Sequence, residues 1–385
     1  MRVEGQAFVA TPCAAYDRLG SRLGFGPGQL WVKDETGNVS GSHKGRHLFG
    51  VMLHLSLGPW ASSLEPLAIA SCGNAALAAA VVARAAGRTL DVFVPTWADE
   101  RVIARLGQLG ARITTCPRDP DVPGDPCYHR FHEAVAGGAV PFCCQGPDNG
   151  LTIEGGSTLA WEMIDAAGDR AIDRVFVQVG GGALASACAL GFADAMALGR
   201  IGRLPRLHAV QTEGGFPLKR AYDRVVERLN RRLPAERPAE LDFRPTTKGF
   251  QTTKGHQTYA GTNFSSGDVS AIHEELHYAA THRDEFMWPW ETPPCSIATG
   301  ILDDETYDWL AVIEGMLLSG GYPVLVSEDT LKSANALVLE TTGVPVDHTG
   351  TAGLAGLIQT IEDEPPVREE TVAVIFTGAR RDLRI

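Results

Sequence analysis

The sequence predicts an α/β protein built on a mostly parallel sheet with helices on both faces. Short β-rich runs alternate with helical stretches of roughly 10 to 15 residues, the pattern of strand–helix–strand crossovers. The same alternation returns in the second half of the chain, where Val175-Phe176-Val177-Gln178-Val179 runs through three glycines into an apolar helix. The 385 residues also exceed a typical domain of about 150, so two or three packed units and a large core are expected.

In chain order, residues 74–86 are nearly all Ala, Leu and Val, a composition that suits a helix buried between a sheet and other helices. Leu90-Asp91-Val92-Phe93-Val94 reads as a strand, 99–109 as a helix, and Ala111-Arg112-Ile113-Thr114 as the next strand. After the strand ending at Val179 comes a helix over 183–198, then strands at Leu207-His208-Ala209-Val210, Val324-Leu325-Val326 and Val372-Ala373-Val374-Ile375-Phe376. Between 213 and 266 the pattern breaks into an Arg-rich, helix-like stretch at 220–232 and a Pro, Thr, Gly and Lys segment, read as an irregular excursion over the surface.

Hydrophobic residues at 44% and charged residues at 21% are close to globular averages. No apolar run approaches the ~18 residues of a membrane span. The start Met1-Arg2-Val3-Glu4-Gly5 lacks the apolar stretch of a signal peptide, so a cytoplasmic location is expected. The eight cysteines form no CxxC pair and read as reduced thiols without a zinc site. A formal charge of −12 opposes nucleic acid and anionic lipid, which need a basic face. A small molecule is the expected partner.

Three short segments could carry chemistry. Gly180-Gly181-Gly182-Ala183-Leu184 places bare N–H groups at a helix start, either as an anion site or as a tight strand-to-helix turn. Its spacing matches neither the GxGxxG of dinucleotide folds nor the GxxxxGK[ST] of phosphate-hydrolysing enzymes. Ser71-Cys72-Gly73-Asn74-Ala75 opens the alanine-rich helix and reads either as a carboxylate site or as a simple N-cap by Ser71 or Asn74. The polar turn from Lys33-Asp34-Glu35 to Ser42-His43-Lys44 ends in a lysine at the start of an apolar helix. A lysine near positive helix ends and shielded from water loses its proton more readily, as an imine-forming amine must. Its other reading is a solvated surface charge. His43 and His47 have the i, i+4 spacing of a helical ligand pair without an HExxH glutamate, so no metal is expected.

Taken together, these segments resemble the pyridoxal-phosphate (PLP) enzymes of the tryptophan synthase β fold, closest to threonine synthases and serine/threonine ammonia-lyases. Ser42-His43-Lys44 after Lys33 and Glu35 resembles their K-x-E…G-S-F-K block, Ser71-Cys72-Gly73-Asn74 their S-S-G-N loop, and Gly180 to Leu184 their G-G-G-G-L loop. The resemblance continues through Thr11-Pro12, Glu154-Gly155-Gly156-Ser157-Thr158 with Glu162, Ser296-Ile297-Ala298-Thr299-Gly300, the stretch 343–357, and Phe376-Thr377-Gly378.

It implies two open, twisted, mostly parallel sheets: a large cofactor domain from 1–50 with 146–385, containing the 213–266 excursion, and a smaller mobile domain at 51–145. It also implies PLP as cofactor, an amino-acid substrate and a homodimer. Lys44 would carry the cofactor and then act as base toward the α-proton. Asn74 would touch the ring oxygen, Ser71, Cys72, Gly73, Asn74 and Ala75 would hold the substrate carboxylate, Gly180, Gly181, Gly182, Ala183 and Leu184 the phosphate, and Thr377 would face the pyridine nitrogen. A hydroxyl there makes the ring a weaker electron sink, favouring elimination and replacement over transamination.

The expected activity is a threonine synthase-like lyase. Its rivals are a serine/threonine ammonia-lyase giving a 2-oxo acid, another β-replacement enzyme of the cysteine or tryptophan synthase kind, and a catalytically silent PLP-binding protein. The end of the chain near residue 385 departs from allosteric threonine deaminases. Two residues depart from the pattern: His43 stands where Phe is usual, as in tryptophan synthase β, and Ala183 replaces the fourth glycine. Lys248, Lys254 and His256 could supply a second anion site for a phosphorylated substrate, or form a solvated basic loop.

Overall fold

The computed structural model describes residues 2–3, 6–57, 65–118, 121, 124–232, 266–361 and 370–380. The chain opens with a short antiparallel pair, β1 (Arg2–Val3) and β2 (Gln6–Ala7), followed by β3 (Cys13–Ala15), α1 (Asp17–Arg22), β4 (Leu30–Asp34) and α2 (Lys44–Leu57). Next come β5 (Leu67–Ala70), α3 (Asn74–Ala85), β6 (Leu90–Pro95), α4 (Glu100–Gln108), β7 (Arg112–Cys116), α5 (Pro126–Ala136) and β8 (Val140–Pro141). The remainder is α6 (Leu151–Ala167), β9 (Arg174–Gln178), α7 (Ala183–Ala197), β10 (Arg206–Thr212), α8 (Pro217–Arg232), α9 (Ser266–Thr281), α10 (Trp309–Ser319), β11 (Pro323–Val326), α11 (Glu328–Thr342), α12 (Ala352–Ile361) and β12 (Val372–Phe376).

Two sheets organise these elements, as the resemblance implies. The larger has the order β11-β10-β9-β12-β4-β3 and is parallel except for β3, which runs antiparallel at one edge. The smaller has the order β7-β6-β5-β8 and is parallel throughout. The five residues of β12 are all buried, as a central parallel strand covered on both faces must be. Its alternation divides two cores: Ala373 and Ile375 join Val175, Val177, Leu218 and Ile313 on one face, whereas Val372, Val374 and Phe376 join Val32, Leu331 and Leu354 on the other.

Helix starts follow local chemistry. The Asp99 side chain accepts the Arg101 N–H at 2.8 Å and caps α4, and Ser327 accepts the Thr330 N–H at 3.2 Å at the start of α11. The Arg-rich stretch is a full helix, α8, and its Leu218, Ala221, Tyr222, Val225, Val226 and Leu229 are buried in the first core. This part of the expected surface excursion is therefore core structure: apolar residues at helical spacing form an inward face beneath the arginines. Lys248, Lys254 and His256 lie outside the described residues.

Helix α2 packs toward both sheets. Leu48, Val51, Met52 and Leu55 enter the core of the smaller sheet, while the opposite side lies against α6 of the larger. A Cβ on Gly50 would stand 2.5 Å from the Gly155 Cα, so the two backbones meet without room for a side chain. Among the described residues no helix is long and apolar enough to cross a membrane.

Candidate active site

In open parallel sheets, ligand-binding loops gather beyond the carboxyl ends of the strands. The glycine loop, Thr377, the turn to Lys44 and the Ser71 loop all lie there. Gly180, Gly181 and Gly182 follow β9, Thr377 follows β12, and the turn leading to Lys44 follows β4. Strands β9, β12 and β4 are neighbours, so these three loops leave the sheet side by side. Ser71, Cys72 and Gly73 follow β5 in the smaller sheet and lead into α3, which packs on α2.

Lys44 is the first residue of α2 and is half-buried. Its ammonium has no hydrogen-bond or ion-pair partner among the described residues, yet its field reaches His43, His47, Cys144, Asp303 and Asp308. Burial pushes the Asp303 carboxyl up to about 6, against the lowering pull of Lys44 and the Gly181 N–H. Asp308 is likewise raised to about 6 by burial, with the Gly146 N–H and Lys44 acting in the opposite direction; that N–H lies 3.1 Å from Asp308 Oδ1.

The glycine loop is a close-packed cradle. Gly182 has φ +98° and caps α7 in the left-handed region, where a side chain is strained. A Cβ on Gly180 would lie 2.5 Å from Asp303 Oδ2, and one on Gly181 would lie 3.0 Å from Tyr307 Cδ2. Ala183, by contrast, is already helical, so its Cβ is accommodated there. Ala183 packs into the core of the smaller sheet and Leu184 into that of the larger, which puts the start of α7 at the junction of the two.

The Ser71 loop differs from a simple side-chain N-cap. Gly73 is the capping residue of α3 and no side chain caps it, while Asn74 is the first helical residue. Ser71, Cys72, Gly73, Asn74 and Ala75 are all half-buried, and the Gly73 N–H donates to Ser71 Oγ at 3.4 Å.

Thr377 is buried and its Oγ1 accepts the backbone N–H of His43 at 2.9 Å; His43 Nδ1 lies 2.7 Å from the same oxygen. Burial, with the nearby Lys44, His47 and Arg46, holds His43 well below the usual imidazole range, so it is neutral. Burial and Lys44 likewise lower His47 to about 3, and its Nδ1 lies 2.8 Å from the Thr152 carbonyl oxygen.

Under this turn lies a group of charges that sequence reading located only as separate motif letters. Arg46 bonds Glu35 through Nε and Nη2 at 2.9 and 2.8 Å, and Glu162 through Nη1 and Nη2 at 2.8 and 2.6 Å. Lys33 Nζ donates to the Thr11 carbonyl at 2.8 Å and to Glu162. Two cations face two carboxylates, so the group is neutral overall and ties the start of α2 to β4 and α6. Asp303 and Asp308 were missed altogether. The acidic run from Asp303 to Asp308, directly after Ser296-Ile297-Ala298-Thr299-Gly300, is the signal that could have found them.

These features fit a bound cofactor with an anionic arm. A Cβ on Gly180 would be obstructed and one on Gly182 strained, and the buried Ser42 Oγ and His43 Nε2 beside Lys44 have no hydrogen-bond partner among the described residues.

Comparison with known proteins agrees. The family model described as pyridoxal-phosphate dependent enzyme matches residues 6–257, and the chain belongs to that family. It is 23% identical over 372 residues to the threonine synthase of Methanocaldococcus jannaschii, covering 96% of this chain and 74% of that one. Among solved structures, the processed form of threonine deaminase isoform 2 from Solanum lycopersicum aligns with a TM-score of 0.66 at 17% identity, over 97% of this chain and 85% of that one. Maize serine racemase aligns with a TM-score of 0.65 at 18% identity, over 97% and 89%. At such identities the structural likeness is one of fold. PLP is accordingly the cofactor, and an amino acid the class of substrate to test.

Proposed function

We propose that this chain is a PLP-dependent lyase or synthase of the threonine synthase kind, acting on an amino acid by α-proton removal and loss or replacement of a β- or γ-substituent. The observation that carries this reading is the convergence of the glycine loop, Thr377 and Lys44 from three adjacent strands. Bound PLP withdraws electrons from the α-carbon of an attached amino acid, which makes the α-proton removable.

Lys44 Nζ would hold the cofactor and, when free of it, would take the α-proton. Gly180, Gly181, Gly182, Ala183 and Leu184 orient the phosphate through backbone N–H groups at the start of α7. Ser71, Cys72, Gly73, Asn74 and Ala75 would hold the substrate carboxylate, Asn74 would also serve the cofactor's ring oxygen, and the Thr377 hydroxyl would serve its pyridine nitrogen. Residues 51–145 form the smaller unit that closes on the substrate and excludes water. A cytoplasmic homodimer completes the reading.

A second reading, ammonia-lyase activity on serine or threonine, has one specific observation in its favour. Among the described residues, the charged groups gathered near Lys44 at the glycine loop are the carboxylates Asp303 and Asp308, which suit a neutral hydroxyl side chain better than a phosphorylated one.

Product analysis decides between them. Phosphorylated and unphosphorylated hydroxy-amino acids are supplied to the wild type and to Lys44→Ala. Release of inorganic phosphate with a new hydroxy-amino acid supports the synthase, and a 2-oxo acid with ammonia supports the ammonia-lyase. A PLP absorbance that no amino acid perturbs would show a silent binder. Unchanged turnover in Lys44→Ala would remove the role given to that lysine.

A further inference from the structure

Thr377 is held from one side by a single residue. Its Oγ1 accepts the His43 N–H at 2.9 Å and lies 2.7 Å from His43 Nδ1, with no other partner among the described residues. The His43 Nε2 is buried without a hydrogen-bond partner among the described residues. The charged or titratable groups around this imidazole are Lys44, Arg46 and His47 of α2, and Thr377 approaches it from the end of β12.

Counting protons assigns the tautomer. A hydroxyl offers two lone pairs and one proton. The backbone N–H of His43 can only donate, so it takes one lone pair. If Nδ1 accepted the hydroxyl proton, the neutral ring would carry its own proton on Nε2, where that N–H would be buried without an acceptor among cations. If Nδ1 donates instead, the atom left over is a bare lone pair on Nε2, and the positive charges of Lys44 and Arg46 favour it. The second arrangement places both N–H donors of His43 and leaves one donor, the Thr377 O–H, for a bound group.

We infer that His43 is a positioning residue: through its Nδ1–H tautomer and its backbone N–H it fills both lone pairs of Thr377, leaving that hydroxyl able only to donate. The group it meets must then present an acceptor, which for PLP is an unprotonated pyridine nitrogen. The inference rests on the placement of Thr377 at that nitrogen under the proposed function. Where Phe stands at this position nothing takes the second lone pair, so His43 would make the weak electron sink of this chain obligatory.

The test is long-range proton–nitrogen NMR of the full chain carrying nitrogen-15 histidine, with and without PLP, together with the ring-nitrogen signal of labelled PLP. The expected result is an Nδ1–H pattern for His43 in both states and an unprotonated ring nitrogen in the wild type. His43→Phe should move the ring-nitrogen signal toward the protonated range, and His43→Gln, whose amide can donate to Oγ1, should restore it in part. An Nε2–H pattern for His43, or a ring-nitrogen signal in His43→Phe identical to the wild type, would overturn the inference. Failure of PLP to bind would sink the proposed function instead, and the tautomer read in PLP-free protein would still decide the role of His43.

Discussion

The Arg46 guanidinium and the Glu35 carboxylate form two parallel hydrogen bonds, Nε to Oε2 at 2.9 Å and Nη2 to Oε1 at 2.8 Å, with both side chains withdrawn from water. Arg46 stands two residues after Lys44, so this fork fixes the first turn of α2 and hence the origin of the Lys44 side chain. Removing one partner of such a pair leaves the other charge buried and uncompensated. Arg46→Ala is expected to lose about 3–5 kcal/mol of stability, read as a lowered urea midpoint. Arg46→Lys, which cannot form the fork, should fall between the two.

The glycine loop makes a sharper prediction about the cofactor. Gly182→Ala forces a side chain into φ +98° and places its Cβ 3.1 Å from Asp308 Cβ and Thr306 Cγ2. The left-handed conformation alone costs about 1–2 kcal/mol, so PLP affinity should fall at least several-fold in an absorbance titration. Gly199→Ala has a positive φ but nothing within 4 Å, and serves as the control for backbone strain remote from the loop.

Asp303 predicts how cofactor binding depends on pH. Its carboxyl, raised to about 6 by burial against the pull of Lys44 and the Gly181 N–H, with Asp304 and Asp125 adding to the rise, is charged at higher pH. A charged carboxylate beside the glycine loop repels a phosphate. PLP should therefore bind more weakly as pH rises through about 6, and Asp303→Asn should flatten that dependence and tighten binding on the alkaline side. Parallel titration curves for the two proteins would sink this account.

His47 predicts an acid limb in stability. Burial and Lys44 lower its folded value from 6.5 to about 3. The unfolded chain then binds a proton below 6.5 that the folded chain refuses until about 3, so stability is complete above the first value and declines as pH falls toward the second. His47→Asn removes the titrating group while offering an N–H to the Thr152 carbonyl. Denaturant midpoints measured across this range should decline less steeply in the variant.

Glu162 adds to the same limb at lower pH. Although burial acts to raise it, hydrogen bonds from Arg46 and Lys33 hold its carboxyl below the usual range. Its contribution is present above the ordinary carboxylate value and disappears as pH falls through the depressed one. Glu162→Gln should lower stability at neutral pH and narrow the gap to the wild type under acid, measured by the same midpoints.

The architecture was largely legible in the sequence because its signals are local. Strand runs alternating with helices, the glycines after Val179 and the alanine-rich helix after Gly73 each depend on a few consecutive residues, and backbone sterics act over that range. The loops after β9 and β5 were legible for the same reason, since a glycine turn or a helix start is built from neighbours in the chain. The order of strands was not. Only the folded sheet puts β12 between β9 and β4, and thereby Thr377 beside the glycine loop and the Lys44 turn.

The tertiary structure alone decided the electrostatics of the site. His43 and Thr377 are 334 positions apart, and Arg46 and Glu162 are 116 apart, so no periodicity or spacing relates them. The apolar side of α8 was masked by its arginines until the core showed which face it buries. The carboxylates of Asp303 and Asp308 became part of the site only when packing brought their segment against Gly180 and Gly182. Local pattern determines which elements form, because it acts through backbone and nearest neighbours. Which charges lose their water, and beside which partner, is decided by packing, because desolvation depends on every element that closes around them.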